Sequence, residues 1–273
     1  MDKKKRFEKI CNDIKQVRIQ GARNIAKAAL YAYSLFPDKK HKRILMNARQ
    51  TEPMLFNVLD KFEKIGYKNI LKHFNESQDR INQNVLKLIK NNDIIFTHCH
   101  STNVVNALIY AKKNGRKFQV YNTETRPLYQ GRKTAKELEK AGVKVKMFID
   151  SAIAIAIEKE NKKDKIYANK IFLGADALLD KGIINKIGSG IIAELAYGHK
   201  IPLYIIADSW KYTNKNIPIE NRKLNEVWSR APKHIIIKNP AFEFVEARHI
   251  RAIVSELGIL SQGQFVKKAK IVL

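Results

Sequence analysis

The stretch that decides the fold covers residues 94–121 and reads IIFTHCHSTNVVNALIYAKKNGRKFQVY. It opens with an apolar run at residues 94–97, which is typical of a short buried strand. Residues 104–113 then carry a helical pattern, and residues 118–121 form a second apolar run of strand length. A strand, a helix and a second strand in this order predict a βαβ unit, whose two strands lie parallel in one sheet.

The same alternation continues towards the C-terminus. The further segments are a helix at 134–141, a strand at 143–149, a helix from Ala152, a strand at 170–173, a helix from Gly190 and a strand at 203–206. Strands that alternate with helices predict a parallel sheet that is covered by helices on both faces. Residues 91–273 are therefore predicted to form an α/β domain with a Rossmann-like parallel sheet.

The first 90 residues predict a small helical domain that precedes the sheet. The candidate helices cover residues 10–17 and 25–36, a segment that starts near Thr51, and residues 78–90. Apolar residues recur at helical spacing in the first candidate, and Pro37 ends the second. The sequence Thr51-Glu52-Pro53 is typical of a helix start, with a capping residue followed by proline in the first turn.

The chain is strongly basic. Its 273 residues include 52 Lys and Arg but only 26 Asp and Glu, which gives a formal net charge of +26. A basic surface binds nucleic acids through phosphate contacts, or attracts small phosphorylated substrates. The basic residues are spread along the chain, with clusters only at residues 3–6 and 39–43. This distribution favours a solvated basic surface over a dedicated nucleic-acid face.

The expected compartment follows from what the sequence lacks. No apolar run approaches the ~18–20 residues of a membrane span, and no secretory apolar segment follows the basic N-terminus. The two cysteines, Cys11 and Cys99, are far apart and form no disulfide framework. We therefore expect a cytoplasmic protein with no membrane contact.

Polar and ionisable side chains follow each predicted strand. They lie at residues 97–101, 122–127, 150–151, 174–177 and 207–211. In open parallel sheets, ligands bind beyond the carboxyl ends of the strands. These stretches are distant in sequence but converge on one edge of the predicted sheet. The sequence therefore predicts an active site at that edge.

Cys99 is the nucleophilic residue of this set. A lone cysteine is commonly a small buried hydrophobe. Next to His98, His100 and the start of a predicted helix, however, its pKa is expected to fall towards neutrality, so that it acts as a base or nucleophile. The two histidines share one face of the strand, as a metal pair would, but no third ligand is evident. The sequence therefore predicts no metal site.

Three further sites follow from residue type and position. Asp176 follows Gly174, which permits close backbone approach, and is either a turn residue or an acid of the site. Asn185 and Lys186 precede glycines and an apolar helix, which favours phosphate binding at the helix N-terminus. Arg126 either offers a forked set of donors to a phosphate or forms a surface ion pair.

Several blocks of the sequence resemble one superfamily. The blocks are residues 123–127, 130–131, 174–176, 182–188, 207–212, 239–242 and 257–260. The superfamily contains the alpha, beta and delta regulatory subunits of eukaryotic initiation factor 2B, a guanine-nucleotide exchange factor. It also contains two isomerases, which act on methylthioribose 1-phosphate and on ribose 1,5-bisphosphate. The resemblance implies a homo-oligomer built on dimers and a reaction that needs no cofactor.

The isomerases of this superfamily carry a catalytic cysteine and a catalytic aspartate, a combination that the regulatory subunits generally lack. Cys99 and Asp176 fill the two matching positions. The sequence Cys99-His100-Ser101 resembles the archaeal ribose-1,5-bisphosphate isomerases more than the methylthioribose-1-phosphate isomerases. The resemblance therefore implies conversion of ribose 1,5-bisphosphate to ribulose 1,5-bisphosphate in nucleotide salvage, with Asp176 as the acid and Cys99 as the base.

The resemblance also implies a set of contacts to the sugar phosphate. These residues are Gln20, Gly21, Ala22, Arg23, Arg49, Ser101, Thr102, Asn103, Asn185, Lys186 and Lys211. At residues 20–23 the enzymes resemble Arg-Gly-Ala-Gly, so Gln20 and Arg23 depart from the pattern, and Arg23 is expected to restore the missing charge. The alternative functions are a non-catalytic regulatory subunit, a methylthioribose-1-phosphate isomerase and a nucleic-acid binder.

Overall fold

The computed structural model describes residues 2–158 and 167–273. Its N-terminal part is helical, as predicted, and consists of α1 (Lys3–Lys15), α2 (Ala22–Leu35), α3 (Lys39–Ala48) and α4 (Pro53–Leu88). These helices pack through apolar side chains that include the fully buried Ile25, Leu45 and Leu59. Within the described residues, no helix is both long enough and apolar enough to cross a membrane.

Three details of the helical part differ from the prediction. The helices expected near Thr51 and at residues 78–90 are one helix, α4, which bends at Gly66, where φ is +74°. Thr51 does not cap this helix, because Glu52 holds the N-cap position. Helix α3 was not expected, since its basic sequence buries a single residue, Leu45, and so carries little apolar periodicity.

The rest of the described chain alternates strands and helices. The strands are β1 (Asp93–Thr97), β2 (Phe118–Thr123), β3 (Lys144–Phe148), β4 (Lys170–Leu173), β5 (Ala177–Leu179), β6 (Gly182–Lys186), β7 (Leu203–Ile206), β8 (Phe242–Glu246), β9 (Ala252–Ser255) and β10 (Gly258–Leu260). The helices are α5 (Thr102–Lys113), α6 (Gln130–Lys140), α7 (Ile153–Ile157), α8 (Ser189–Gly198) and α9 (Gln262–Val272). The predicted α/β class is therefore confirmed.

The main sheet has the order β10-β9-β7-β4-β1-β2-β3 among the described strands. Its neighbouring strands are parallel except for the pair of β9 and β10. From β1 the chain adds strands in one direction, through β2 to β3, and then returns to add β4 on the other side of β1. This reversal creates a crevice at the carboxyl ends of β1 and β4, which is where such sheets bind ligands.

A second, antiparallel sheet of β5, β6 and β8 differs from the prediction of a single parallel sheet. Asn185 and Lys186, which were expected to bind phosphate at a helix N-terminus, are the last two residues of strand β6. Strand β6 pairs with the distant β8, so that Lys186 lies opposite Phe242. Pairing between strands this far apart leaves no trace in the local apolar pattern.

The core lies on both faces of the main sheet. One face buries Ile205 and Phe265, and the other buries Leu108 and Phe172. Ile81 of α4 belongs to the second cluster, so α4 packs the helical part onto the sheet. Each such fully buried apolar side chain contributes roughly 1.5–3 kcal/mol. The boundary expected after residue 90 falls between α4 and β1, and the division into residues 1–90 and 91–273 remains a proposal.

Candidate active site

A cavity with an empty volume of about 1010 Å³, part of it open to solvent, lies at the carboxyl ends of β1 and β4. The start of α2 and the segment between α3 and α4 also contribute lining residues. Of the residues named from the sequence, it is lined by Gln20, Gly21, Ala22, Arg23, Arg49, Cys99, Ser101, Thr102, Asn103, Asp176, Asn185, Lys186 and Lys211. A concave site at the strand ends that is lined by several convergent polar and charged side chains suits a small polar ligand.

The structure describes all of the site residues that were named from the sequence. Arg126 is the one among them that does not line the cavity. Its guanidinium donates to Tyr129 Oη at 3.0 Å and to the Val227 carbonyl oxygen at 3.3 Å. Its backbone N–H donates to Asp150 at 2.7 Å. The loop after β2 therefore directs Arg126 to the surface, and the expected phosphate contact from this residue is not part of the cavity.

The backbone of Cys99 is held in an uncommon conformation at the end of β1. Its φ is +65°, in the left-handed region that residues other than glycine rarely adopt. The Cys99 N–H donates to Thr125 Oγ1 at 3.0 Å, and its carbonyl oxygen accepts from Thr134 Oγ1 at 2.8 Å. Thr125 also has a positive φ, of +61°. Conformations of this kind persist where the surrounding contacts enforce them, and they cluster at functional sites.

The Cys99 thiol does not have the lowered pKa expected from the sequence. Burial raises the pKa of Cys99 to about 11, although the charge of Lys186 acts in the opposite direction. The expectation was wrong because it assumed cationic histidines, whereas burial lowers the pKa of both His98 and His100. Cys99 therefore carries its proton at neutral pH.

Both ring nitrogens of His98 are used within the protein. Nδ1 contacts Thr123 Oγ1, and Nε2 lies 2.8 Å from the Ile187 carbonyl oxygen. A neutral ring must donate from Nε2 to the carbonyl, so Nδ1 accepts from the Thr123 hydroxyl. His98 thus ties β1 to β2 and to the start of α8, and it has no lone pair left for a metal ion.

His100 supports the other side of Cys99. Thr134 Oγ1 uses its proton for the Cys99 carbonyl oxygen, so it accepts from Nδ1 of His100 at 3.0 Å. Burial lowers the pKa of His100 to about 4, and Lys133 acts in the same direction. The ring is therefore neutral, and its part is to orient the threonine that holds Cys99.

Asp176 enters the cavity from the turn after β4. Its backbone N–H donates to the Ile184 carbonyl oxygen at 2.9 Å. The turn passes close to Ser101, since a Cβ at Gly174 would lie 2.6 Å from that side chain. Burial raises the pKa of Asp176, and the charge of Lys211 opposes this rise. A raised pKa favours the protonated form, which is able to donate a proton.

Two lysines and an asparagine form a basic wall beside Asp176. The buried Lys211 donates from Nζ to the Ala175 carbonyl oxygen at 2.6 Å. Lys186 ends β6, and the preceding Asn185 donates from Nδ2 to Ser189 Oγ at 2.8 Å. Ammonium groups in a buried site bind phosphate oxygens and stabilise negative charge that develops on a substrate.

The start of α2 contributes less charge to the cavity than expected. The guanidinium of Arg23 donates to the Phe74 carbonyl oxygen at 2.5 Å and to Gln78 Oε1 at 3.2 Å. Gln20 donates to the Val17 carbonyl oxygen at 3.3 Å. Arg23 therefore directs its charge at α4, contrary to the expectation that it restores the missing phosphate contact.

Arg49 lines the cavity, but its guanidinium is bound by Glu220. Its Nη2 donates to Glu220 Oε2 at 2.7 Å, and its Nε lies 3.6 Å from Glu52 Oε1. Glu52 is itself a lining residue that the sequence motifs did not reveal, as are Lys133 and Arg222. The sequence gives one local indication of Glu52, because it is an acidic residue directly before Pro53 at the predicted start of a helix.

A possible metal-binding group lies outside this cavity. Among the described residues, His73, Asp208 and Glu256 bring their ligand atoms within 4.8 Å of one another. Although Asp208 is buried, hydrogen bonds from His73, Ser77 and the Trp210 N–H hold its pKa below the usual value. These bonds give the cluster a structural explanation, in which it joins α4 to the ends of β7 and β9.

The family model described as "Initiation factor 2 subunit family" matches residues 39–262, which is most of the chain. The chain belongs to the initiation factor 2 subunit family. This family assignment agrees with the resemblance found in the sequence blocks around Asp176 and Lys211.

Relatives in this family carry different names. The chain is 32% identical to a ribose 1,5-bisphosphate isomerase of Methanocaldococcus jannaschii, over 94% of this chain and 91% of that protein. It is 31% identical to a methylthioribose-1-phosphate isomerase of Thermosipho melanesiensis, over 94% of this chain and 87% of that protein. A solved structure of a Pyrococcus horikoshii translation initiation factor eIF-2B superposes with a TM-score of 0.80 at 24% identity, covering 94% of this chain and 97% of that one. This structural likeness shows a shared fold.

Proposed function

We propose that this protein is an aldose–ketose isomerase that converts ribose 1,5-bisphosphate to ribulose 1,5-bisphosphate. The observation that carries the proposal is the meeting of Cys99 and Asp176 in one cavity, from the ends of β1 and β4. Isomerisation of this kind needs an acid and a base that act on one substrate. The name of the Methanocaldococcus jannaschii relative supports the choice of substrate.

The proposed reaction begins with the opening of the sugar ring. C1 is bonded to both a phosphate oxygen and the ring oxygen, and the bond to the ring oxygen breaks as Asp176 protonates that oxygen. The electron pair of the broken bond stays on the oxygen, which becomes a hydroxyl group, and C1 becomes electron-deficient. Burial raises the pKa of Asp176 and so favours the protonated form that this step needs.

The proposed second stage moves a proton from C2 to C1. The Cys99 thiolate removes the C2 proton, and the electron pair forms the C1–C2 double bond of an enol phosphate. Cys99 then returns the proton to C1, while the C2 hydroxyl group gives its proton to the Asp176 carboxylate and becomes the ketone. Both side chains regain their starting states. Lys186 and Lys211 line the same cavity and stabilise negative charge on the intermediate.

The raised pKa of Cys99 sets the expected pH dependence. The reactive form combines a Cys99 thiolate with a protonated Asp176, and only a small fraction of the protein is in this form at neutral pH, because burial raises the pKa of Cys99 to about 11. The reactive fraction grows with pH until the acid loses its proton. We therefore place the pH optimum on the alkaline side of neutrality.

The direct test supplies ribose 1,5-bisphosphate to the purified protein and measures the formation of ribulose 1,5-bisphosphate. We expect turnover in the common enzymatic range of about 1–10³ s⁻¹. A protein that is folded but inert towards both this substrate and methylthioribose 1-phosphate would contradict the isomerase proposal and favour a regulatory subunit.

One observation favours methylthioribose 1-phosphate as a second candidate substrate. Arg49 is bound by Glu220, and Arg23 is bound to α4, so the helical side of the cavity offers little charge for a second phosphate. The two substrates differ in that respect, since only ribose 1,5-bisphosphate has a phosphate at each end. The ratio of their kcat/KM values ranks the candidates.

Replacing Lys186 with methionine should raise KM for the sugar phosphate by about 10–100-fold, because a charge-assisted hydrogen bond contributes about 1.5–3 kcal/mol. Steady-state kinetics measures this change. The matched control is Lys181→Met, since Lys181 is an exposed residue just before the same strand, β6. Equal KM values in the two variants would exclude Lys186 from substrate binding.

We also propose a homo-oligomer built on dimers through the α/β domain. The edge strand β3 leaves Met147 50% exposed, and the residue after the strand, Ile149, is 60% exposed. An exposed sheet edge with apolar side chains is suited to association with another chain. These features support the proposal without fixing the number of subunits.

A further inference from the structure

Glu52 is a buried acid of the cavity that the proposed reaction leaves unused. It holds the N-cap position of α4, directly before Pro53, but its side chain makes no capping hydrogen bond. The residue is 2% exposed and lines the cavity together with Asp176. The start of the helix therefore does not explain why a carboxyl group is buried here.

The carboxyl oxygens of Glu52 have poor partners. Oε1 lies 3.6 Å from Nε of Arg49, which is longer than a hydrogen bond. Oε2 is buried and has no hydrogen-bond partner among the residues that the structure describes. The better donor of Arg49, Nη2, is bound to Glu220 at 2.7 Å. A buried carboxylate without donors is unfavourable, whereas a protonated carboxyl group at the same place carries no charge.

Charged groups from several elements face Glu52. The pKa of Glu52 is raised to about 8, mainly by burial and next by the charge of Asp176 at the end of β4. Arg49 after α3 and Lys211 after β7 act in the opposite direction, and Glu220 adds to the rise. The two buried acids of the cavity therefore oppose each other's ionisation.

A similar set of groups faces Asp176. Burial raises the pKa of Asp176, the cations Lys211, Lys186 and Arg49 lower it, and Glu220 raises it. The cations make the loss of one proton from the two acids easier. The loss of the second proton then meets both burial and the charge left by the first, and so it needs a higher pH.

We propose that Glu52 is a positioning residue for Asp176, and that the two carboxyl groups hold one proton between them at neutral pH. The inference rests on the proposed function, in which Asp176 is the acid. Because the pair resists the loss of its last proton, the protonated form of Asp176 stays populated to higher pH than it would in the absence of Glu52. Glu52 acts through Asp176 and touches no reacting atom in this role.

The kinetic test compares the pH profile of kcat/KM for the unsubstituted protein and for Glu52→Gln. Glutamine keeps the size of the side chain but removes its proton and its charge. We expect the limb of the profile that reports the Asp176 proton to move to lower pH by about one unit, the size of interaction that makes two groups titrate as a pair. Glu52→Asp keeps a carboxyl group and should therefore keep the limb near its original position. A merely structural role for Glu52 would not require this result.

A second measurement is independent of catalysis. The full-length protein is labelled with ¹³C at the carboxyl carbons of Asp and Glu, and the Asp176 signal is assigned from its loss in Asp176→Asn. In the unsubstituted protein we expect the Asp176 signal to titrate in two steps, because its own proton and that of Glu52 both affect it. In Glu52→Gln a single step should remain.

The control is Glu256→Gln, which removes a half-buried carboxyl group whose pKa burial raises to about 7, but which does not line the cavity. It should leave the Asp176-dependent limb and the Asp176 titration unchanged. A single-step Asp176 titration in the unsubstituted protein overturns the inference, even where Glu52→Gln does not fold. A two-step titration in a protein that is inert towards both sugar phosphates supports the carboxyl pair but refutes the proposed function.

Discussion

Replacing Cys99 with serine should lower kcat by about 10²–10⁴-fold, the usual contribution of a positioned acid or base. A serine hydroxyl is a far weaker acid than a thiol, so it forms almost no anion to remove the C2 proton. The fold should persist, because Cys99 is anchored through its backbone N–H and carbonyl oxygen, to Thr125 and Thr134, and both bonds survive the change. Steady-state kinetics at saturating sugar phosphate, with urea unfolding of the same sample, measures both effects.

The matched control is Cys11→Ser, which makes the same chemical change outside the cavity. Cys11 lies in α1 and packs against the helical core, and burial raises its pKa to about 11, as it does for Cys99. The two thiols therefore differ in location rather than in acidity. Cys11→Ser should keep its full kcat, and a Cys99→Ser variant that is equally active would remove Cys99 from the reaction.

Much of the main sheet could be predicted because its buried strands are short apolar runs. Ile95 and Ile205 lie in such runs, and both are fully buried. Parallel strands also end at one edge, which is why Cys99 and Asp176 were expected in one site although they are distant in sequence. The local pattern thus indicated the position of the cavity, and the family resemblance supplied the residues that line it from the helical part.

The parts that escaped prediction depend on contacts between distant residues. Strand β6 exists through its pairing with β8, and Arg49 is held by Glu220, which comes from a loop far along the chain. Arg126 belonged to a well-matched sequence block, yet its side chain bonds to Val227, a contact that the block does not contain. Sequence patterns report local preference, whereas these side-chain directions are set by the tertiary fold.

The prediction of a lowered pKa for the Cys99 thiol was wrong for a related physical reason. The sequence places two histidines beside the thiol, which suggests positive charge. In the structure both rings are buried and hydrogen-bonded to threonines, and their pKa values fall, so they provide no positive charge. Burial is then the largest effect on the pKa of the Cys99 thiol, and it raises that pKa. Whether a neighbour carries charge depends on its own solvation, which a list of adjacent residues does not contain.

Replacing Gly131 with alanine should destabilise the protein by about 2–4 kcal/mol and lower kcat, since this glycine sits where α6 meets the loop behind Cys99. A Cβ there would overlap the Thr123 carbonyl oxygen and lie 2.9 Å from the Thr123 carbonyl carbon. The Gly131 N–H donates to the Glu124 carbonyl oxygen at 3.1 Å, so the helix cannot withdraw without losing this bond. The loop must move instead, and it carries Thr125, which holds the Cys99 N–H. Urea unfolding measures the loss of stability, and steady-state kinetics measures kcat.

Gly263→Ala is the matched control for this change. Gly263 is the second residue of α9 and follows a glutamine, just as Gly131 is the second residue of α6 and follows a glutamine. A Cβ at Gly263 would meet nothing within 4 Å, so only the gain in helix propensity remains, worth up to about 1 kcal/mol. If the free energy of unfolding falls in Gly131→Ala and rises in Gly263→Ala, the destabilisation is due to the clash with Thr123. Equal stability of the two variants would mean that the loop carrying Thr125 moves at no cost. A loop that moves freely would not fix the position of Cys99.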